Sequence, residues 1–125
     1  MMSKKYLIHL VCAARPNFMK VGPLFHALKN ESWAYLRIIH TGQHYDPNMS
    51  DEFFHDLGLP KPHVNLNVGS GTHAEQTGRV MSLYEKILME STPALVVVVG
   101  DVNSTMAATL AATNLGLELL IWRLV

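Results

Sequence analysis

Val96-Val97-Val98-Val99-Gly100-Asp101-Val102-Asn103-Ser104-Thr105 carries an apolar strand straight into a carboxylate and a helix start. Four consecutive valines suit a strand covered on both faces, as in a parallel sheet. Gly100 allows a sharp backbone turn where the strand stops. Asn103, Ser104 or Thr105 is suited to cap a helix through Leu115, with Gly116 ending it. In an open α/β sheet, ligands bind in the crevice beyond the carboxyl ends of the strands. Asp101 is expected there, as a group available for chemistry.

Working outward, the start of the chain repeats the pattern. The apolar run Tyr6 to Cys12 leads into Ala13-Ala14-Arg15-Pro16-Asn17-Phe18-Met19-Lys20, which opens a helix with apolar Phe18, Val21, Leu24, Phe25 and Leu28. Pro23 is an awkward residue inside that helix. Arg15 and Lys20 bring two cations to a helix amino terminus, whose free N–H groups already attract anions. Cations at that end oppose the helix dipole, so their placement points to an anionic ligand. Arg15 has the fork to grip a phosphate in bidentate fashion, and Lys20 supplies a point charge.

Between these two stretches the pattern is β-α-β-α-β-α-β-α with short connections. The first helix is expected over about Asn17 to Lys29 and the second strand over about Tyr35 to His40. The loop Thr41-Gly42-Gln43-His44-Tyr45-Asp46-Pro47 follows, then a helix with Met49, Phe53, Phe54 and Leu57 on one side and Gly58 at its end. Val64 to Val68 alternates like an edge strand. Thr72-His73-Ala74-Glu75 is a capping-box pattern for a long helix to about Glu90, buried through Val80, Met81, Tyr84, Ile87 and Leu88. This alternation predicts an α/β fold, a doubly wound parallel sheet of Rossmann-like type.

Composition narrows the classes. With 125 residues, 49% of them hydrophobic, the chain supports one core. Ten basic residues balance ten acidic ones, which argues against a nucleic-acid or membrane surface. No run is long enough to span a membrane. Lys4 and Lys5 before Tyr6 to Ala14 have the look of a short secretory signal, but His9 interrupts the run and Arg15-Pro16 leads into an amphipathic helix, so a first strand is the reading. One cysteine, Cys12, precludes an internal disulfide and fits a reducing, cytoplasmic compartment.

Other polar positions carry weaker signals. Gln43 and His44 lie in a strand-end loop, which suits substrate contact as well as turn formation. His40 and His44 have a metal-pair spacing only on a helix, and Thr41-Gly42 predicts a turn, so no metal is expected. Thr72, Glu75 and Arg79 read as a cap and a solvated helix face, with His73 or Arg79 as candidates to border the cleft. Gly69-Ser70-Gly71 is not a P-loop, because no Gly-Lys-Ser/Thr follows.

Four blocks together resemble the non-hydrolysing UDP-N-acetylglucosamine 2-epimerases: Ala14 to Lys20, Thr41 to Asp46, Gly69 to Val80, and Val99 to Thr105. The resemblance implies the amino-terminal half of a two-domain GT-B fold, with the sugar nucleotide in the cleft between two Rossmann-like domains. It implies interconversion of UDP-N-acetylglucosamine and UDP-N-acetylmannosamine by UDP elimination and re-addition, without metal or other cofactor, in an enzyme that commonly pairs as a homodimer. By position, Arg15 and Lys20, with Gln43 and His44, are then substrate-binding, and Asp101 is a catalytic carboxylate.

The resemblance stops near Leu117. Family members continue with a His-x-Glu-Ala-Gly signature and a second domain, where this chain reads Leu119-Leu120-Ile121-Trp122-Arg123-Leu124-Val125. Codons TTG-CTC-ATH-TGG-AGG-CTG-GTN, preceded by a G, read in the neighbouring frame as Val-Ala-His-(Leu/Met)-Glu-Ala-Gly. Residues 1–117 are therefore expected to form the amino-terminal domain and residues 118–125 an out-of-frame tail. Competing readings are a GT-B glycosyltransferase domain and a nucleotide-binding module without catalysis.

Overall fold

The computed structural model describes residues 5–42, 49–99 and 103–122, and for 103–106 and 119–122 the backbone alone. Five strands and four helices alternate: β1 (Tyr6–Cys12), α1 (Arg15–Leu28), β2 (Ala34–His40), α2 (Asp51–Asp56), β3 (Val64–Asn65), α3 (His73–Glu90), β4 (Leu95–Val99), α4 (Asn103–Asn114) and β5 (Leu119–Trp122). They form one parallel sheet in the order β3-β2-β1-β4-β5. From β1 the strand order grows one way through β2 and β3 and the other way through β4 and β5, so the β1/β4 boundary is the switch point where such sheets open a crevice.

The sheet is covered on both faces, as the valine run predicts. Ile8, Leu10, Cys12, Leu36, Ile38, Val97 and Val99 pack with Phe18 and Val21 of α1 and Phe53 and Phe54 of α2. On the other face Val11, Ile39, Val96 and Val98 meet Val80, Tyr84 and Leu88 of α3 and Ala107, Ala108, Ala111 and Ala112 of α4. The alanine face of α4 lets that helix approach the sheet closely. No described helix is long and apolar enough to cross a membrane.

Local chemistry sets the helix ends. Thr72 Oγ1 accepts from the Glu75 N–H at 3.2 Å and Glu75 Oε1 accepts from the Thr72 N–H at 3.0 Å, the reciprocal pair expected of a capping box. Those Thr72 hydrogen bonds, backbone first, hold the Glu75 carboxyl below its usual range. Gly58 ends α2 and Gly116 ends α4, each at positive φ (67° and 70°) that glycine adopts without strain. Helix α1 begins at Arg15, two residues before the expected start, because Pro16 is suited to a first helical turn. It runs unbroken past Pro23; Gly22 before it has no Cβ to clash with the proline ring.

One strand differs from expectation. The run Val64 to Val68 pairs as a strand only over Val64 and Asn65. Asn65 Oδ1 accepts from the Asn67 N–H at 2.9 Å, and Asn67 takes a positive φ of 53°, so a local side-chain turn displaces the ladder. The edge of β2 beside it is capped by His63, whose Nδ1 accepts from the Ile38 N–H at 2.9 Å. At the opposite edge, Leu119 to Trp122 pairs with Val96 to Val99 as β5.

His9 interrupts the otherwise apolar β1 and is fully buried, with Nδ1 2.9 Å from the Tyr84 hydroxyl of α3. Burial, aided by the nearby Arg37 charge, lowers its pKa from 6.5 to about 4. Unfolded His9 therefore takes up a proton near pH 6.5 and folded His9 only near pH 4. Between those values the unfolded chain binds more protons, and acidification favours unfolding. Urea midpoints should hold above pH 6.5 and fall towards pH 4, and His9→Gln should flatten part of that decline. At pH 7, Tyr84→Phe should cost about 1–3 kcal/mol by leaving the buried imidazole nitrogen unpaired.

Candidate functional site

The carboxyl ends of β1, β2 and β4, at Cys12, His40 and Val99, lie along one sheet edge. The turn from β1 into α1 crosses this edge. Its N-cap, Ala14, has no side chain to accept from the first helical amides, and Asn17 reaches back to the N–H groups ahead of the helix. Asn17 Oδ1 receives the N–H groups of both Ala13 and Ala14 at 2.9 Å, and the Asn17 N–H bonds to the Ala14 carbonyl at 2.9 Å. Pro16 has no N–H to offer. The helix terminus therefore does not present the row of free amides that its sequence suggests: most are already bonded within the turn. The positive charge at this end comes from the side chains of Arg15 and Lys20.

Arg15 is the first helical residue and is exposed, its guanidinium carbon 5.0 Å from the centroid of the Phe53 ring. Among the described residues no carboxylate pairs with it. Lys20, half-buried, follows on the same helix. Five residues separate them, which on an ideal helix is about 7.5 Å along the axis and about 140° around it. They therefore project from different sides of α1. Asp101, Gln43 and His44 lie outside the described residues.

The flanks of those positions are ordered by specific contacts. Gly42 has φ of 71°, and a Cβ there would lie 2.5 Å from Asn65 Oδ1 and 2.8 Å from the Asn67 backbone. The following loop is latched to the end of β2: the Val68 N–H bonds the Thr41 carbonyl at 3.0 Å and the Gly69 N–H bonds the Gly42 carbonyl at 2.8 Å. From α3, Gln76 Nε2 donates to the Gly69 carbonyl at 2.9 Å and Arg79 Nη2 to the Ser70 carbonyl at 2.6 Å. Arg79 thus holds the Gly69-Ser70-Gly71 loop, and Glu75 serves the cap. His40 is the last residue of β2, with Nδ1 3.4 Å from Asn65 Nδ2 and its ring edge-on to Phe18 at 5.1 Å.

Two contributors escape the motif reading: the Asn17 clasp and the Phe53 ring under Arg15. The first has a signal, an asparagine at the third helical position after an alanine N-cap; the second depends on where α2 packs. Asn17→Ala should leave two amides of a buried turn unpaired and lower stability by about 1–3 kcal/mol. Asn17→Asp, which keeps the acceptor, should retain most of it. Thermal unfolding of the two variants side by side checks this.

Comparison with known proteins agrees with this geometry. The sequence model of the family described as UDP-N-acetylglucosamine 2-epimerase matches residues 26–120. The UDP-N-acetylglucosamine 2-epimerase of Methanocaldococcus jannaschii is 43% identical over 113 residues, covering 89% of this chain and 30% of the relative. The UDP-2,3-diacetamido-2,3-dideoxy-D-glucuronate 2-epimerase of Pseudomonas aeruginosa is 42% identical over 105 residues, 84% of this chain and 30% of the relative. The crystal structure of the M. jannaschii enzyme in complex with UDP-GlcNAc and UDP superposes with a TM-score of 0.86 at 41% identity, over 92% of this chain and 32% of that one. The Neisseria meningitidis enzyme bound to UDP-GlcNAc gives a TM-score of 0.82 at 25% identity, over 92% and 31%. The chain thus spans about 30% of the length of the curated relatives it matches. With the parallel sheet, its switch-point crevice and the sequence match in agreement, the chain belongs to the UDP-N-acetylglucosamine 2-epimerase family.

Proposed function

We propose that this chain forms the amino-terminal wall of a sugar-nucleotide cleft in an enzyme that interconverts UDP-N-acetylglucosamine and UDP-N-acetylmannosamine. The observation that carries the reading is Arg15: an exposed guanidinium, free of carboxylate partners among the described residues, at the carboxyl edge beside the switch point. A relative crystallised with UDP-GlcNAc and UDP has the same fold over this region.

In the proposed reaction the C2 proton leaves and the bond between C1 and the UDP oxygen breaks, giving 2-acetamidoglucal and UDP. Re-addition of UDP at C1, with a proton delivered to the opposite face of C2, completes the epimerisation. Arg15 and Lys20 stabilise the negative charge that builds on the departing diphosphate. Asp101 belongs to the acid/base set that moves the C2 proton, and Gln43 and His44 contact the substrate. The parent enzyme works in the cytoplasm as a homodimer. Residues 1–117 are the domain proper and residues 118–125 an out-of-frame tail.

One observation favours a second substrate. The P. aeruginosa relative, named for a diacetamido uronate, matches at 42%, beside 43% for the N-acetylglucosamine enzyme. Both sugars carry UDP and an acetamido group at C2, so the same chemistry serves either.

NMR titration of the purified chain should show UDP and inorganic pyrophosphate binding more tightly than uridine, with affinity falling as salt rises. Arg15→Ala and Lys20→Ala should each weaken UDP binding about fivefold to tenfold, the worth of one charge-assisted contact in a partly solvated crevice. Equal binding of UDP and uridine would overturn the reading. The restored-frame protein should exchange the C2 proton of one of the two UDP-sugars for deuterium in heavy water, whereas the chain as it stands should not. Exchange with neither sugar favours a glycosyltransferase. Gene sequencing past the Leu117 codon tests the tail: no single-base change restoring a His-x-Glu-Ala-Gly reading would refute it.

A further inference from the structure

We infer that Phe53 is a positioning residue for Arg15, presenting its guanidinium to the diphosphate of the nucleotide; the inference rests on the anion-binding role proposed for Arg15. An exposed arginine on the first turn of a helix ordinarily samples many rotamers, and a ligand must bear the cost of ordering it. Here the guanidinium lies 5.0 Å from the centroid of Phe53. The ring face attracts the cation through its quadrupole. It takes up none of the N–H donors that a carboxylate partner would occupy, so the fork stays available to a phosphate.

The platform is itself fixed. Phe53 is 9% exposed and belongs to the core cluster between α1, α2 and the sheet. Its ring meets Phe54 at 5.3 Å, Phe54 meets Phe18 at 5.1 Å, and Phe18 meets His40 at 5.1 Å, all edge to face. This row of rings runs from Arg15 to the last residue of β2, so the guanidinium is referenced to the sheet edge and not only to its own helix. Ser50 caps α2 by accepting from the Phe53 N–H, which anchors the backbone under the ring.

An arginine stem that merely shields Phe53 from water predicts a different energetic pattern, and a double-mutant cycle separates the two. UDP affinity is measured by NMR titration for the wild-type chain, Phe53→Leu, Arg15→Ala and the double variant, with thermal midpoints on the same samples. Phe53→Leu should weaken UDP binding about twofold to fivefold when Arg15 is present and leave it unchanged when Arg15 is alanine. Phe53→Tyr or Phe53→Trp should restore wild-type affinity, whatever their thermal midpoints. If Phe53→Leu does not fold, Phe53→Met, apolar and close in volume, takes its place in the cycle. Equal losses in both Arg15 backgrounds, no loss at all, or no rescue by the aromatic variants would overturn the inference. Indifference of UDP binding to Arg15→Ala would instead remove the anion-binding role beneath it.

Discussion

Parallel pairing of β1 with β2 on one side and β4 on the other is the constraint on which the rest of this molecule depends. Val11 stands beside Ile39 on β2 and Val98 on β4, and Leu10 beside Ile38 and Val97. Because side chains alternate between faces, this register assigns each apolar residue to one of two cores. A slip of one residue would turn Ile8, Leu10 and Cys12 towards α3 and α4 and carry His9 to the wrong side. The same register aligns the strand ends, so Cys12, His40 and Val99 stop at a common edge.

Only one strongly polar group lies in the middle of that central strand, and its partner explains why it is tolerated. His9 meets the Tyr84 hydroxyl, which reaches down from α3, and the pair ties the longest helix to the sheet in one lateral position. Apolar packing alone is permissive about sliding; a single buried hydrogen bond is not. Burial also raises the Tyr84 phenol well above its ordinary pKa and lowers that of His9, so both groups stay neutral around neutral pH.

At the crevice the division of labour between backbone and side chains runs opposite to a phosphate-binding glycine loop. Asn17 and the turn itself occupy the Ala13, Ala14 and Asn17 amides, and Pro16 removes another. What remains is a turn closed by its own hydrogen bonds and bearing an exposed guanidinium. The loop from Leu66 to Thr72 is bonded to the end of β2 and to α3, which gives that side of the crevice a firm floor.

Much of this was legible in the residues. The valine run, the alternation of apolar periods, the Thr72-to-Glu75 cap and the terminating glycines Gly58 and Gly116 each report a local preference, and all agree with the parallel sheet. Arg15 and Lys20 are recognisable as cations at a helix start because their position depends on sequence spacing alone. Strand order, the short β3 and the docking of Phe53 under Arg15 are of another kind. They rest on contacts between residues far apart in the chain, or on competition such as the Asn65 side chain capturing the Asn67 amide. The sequence by itself determined the elements and their order along the chain, since propensity and periodicity act over a few residues. Tertiary structure alone decided which ring steadied Arg15, because only packing brings Phe53 of α2 within reach of a residue of α1.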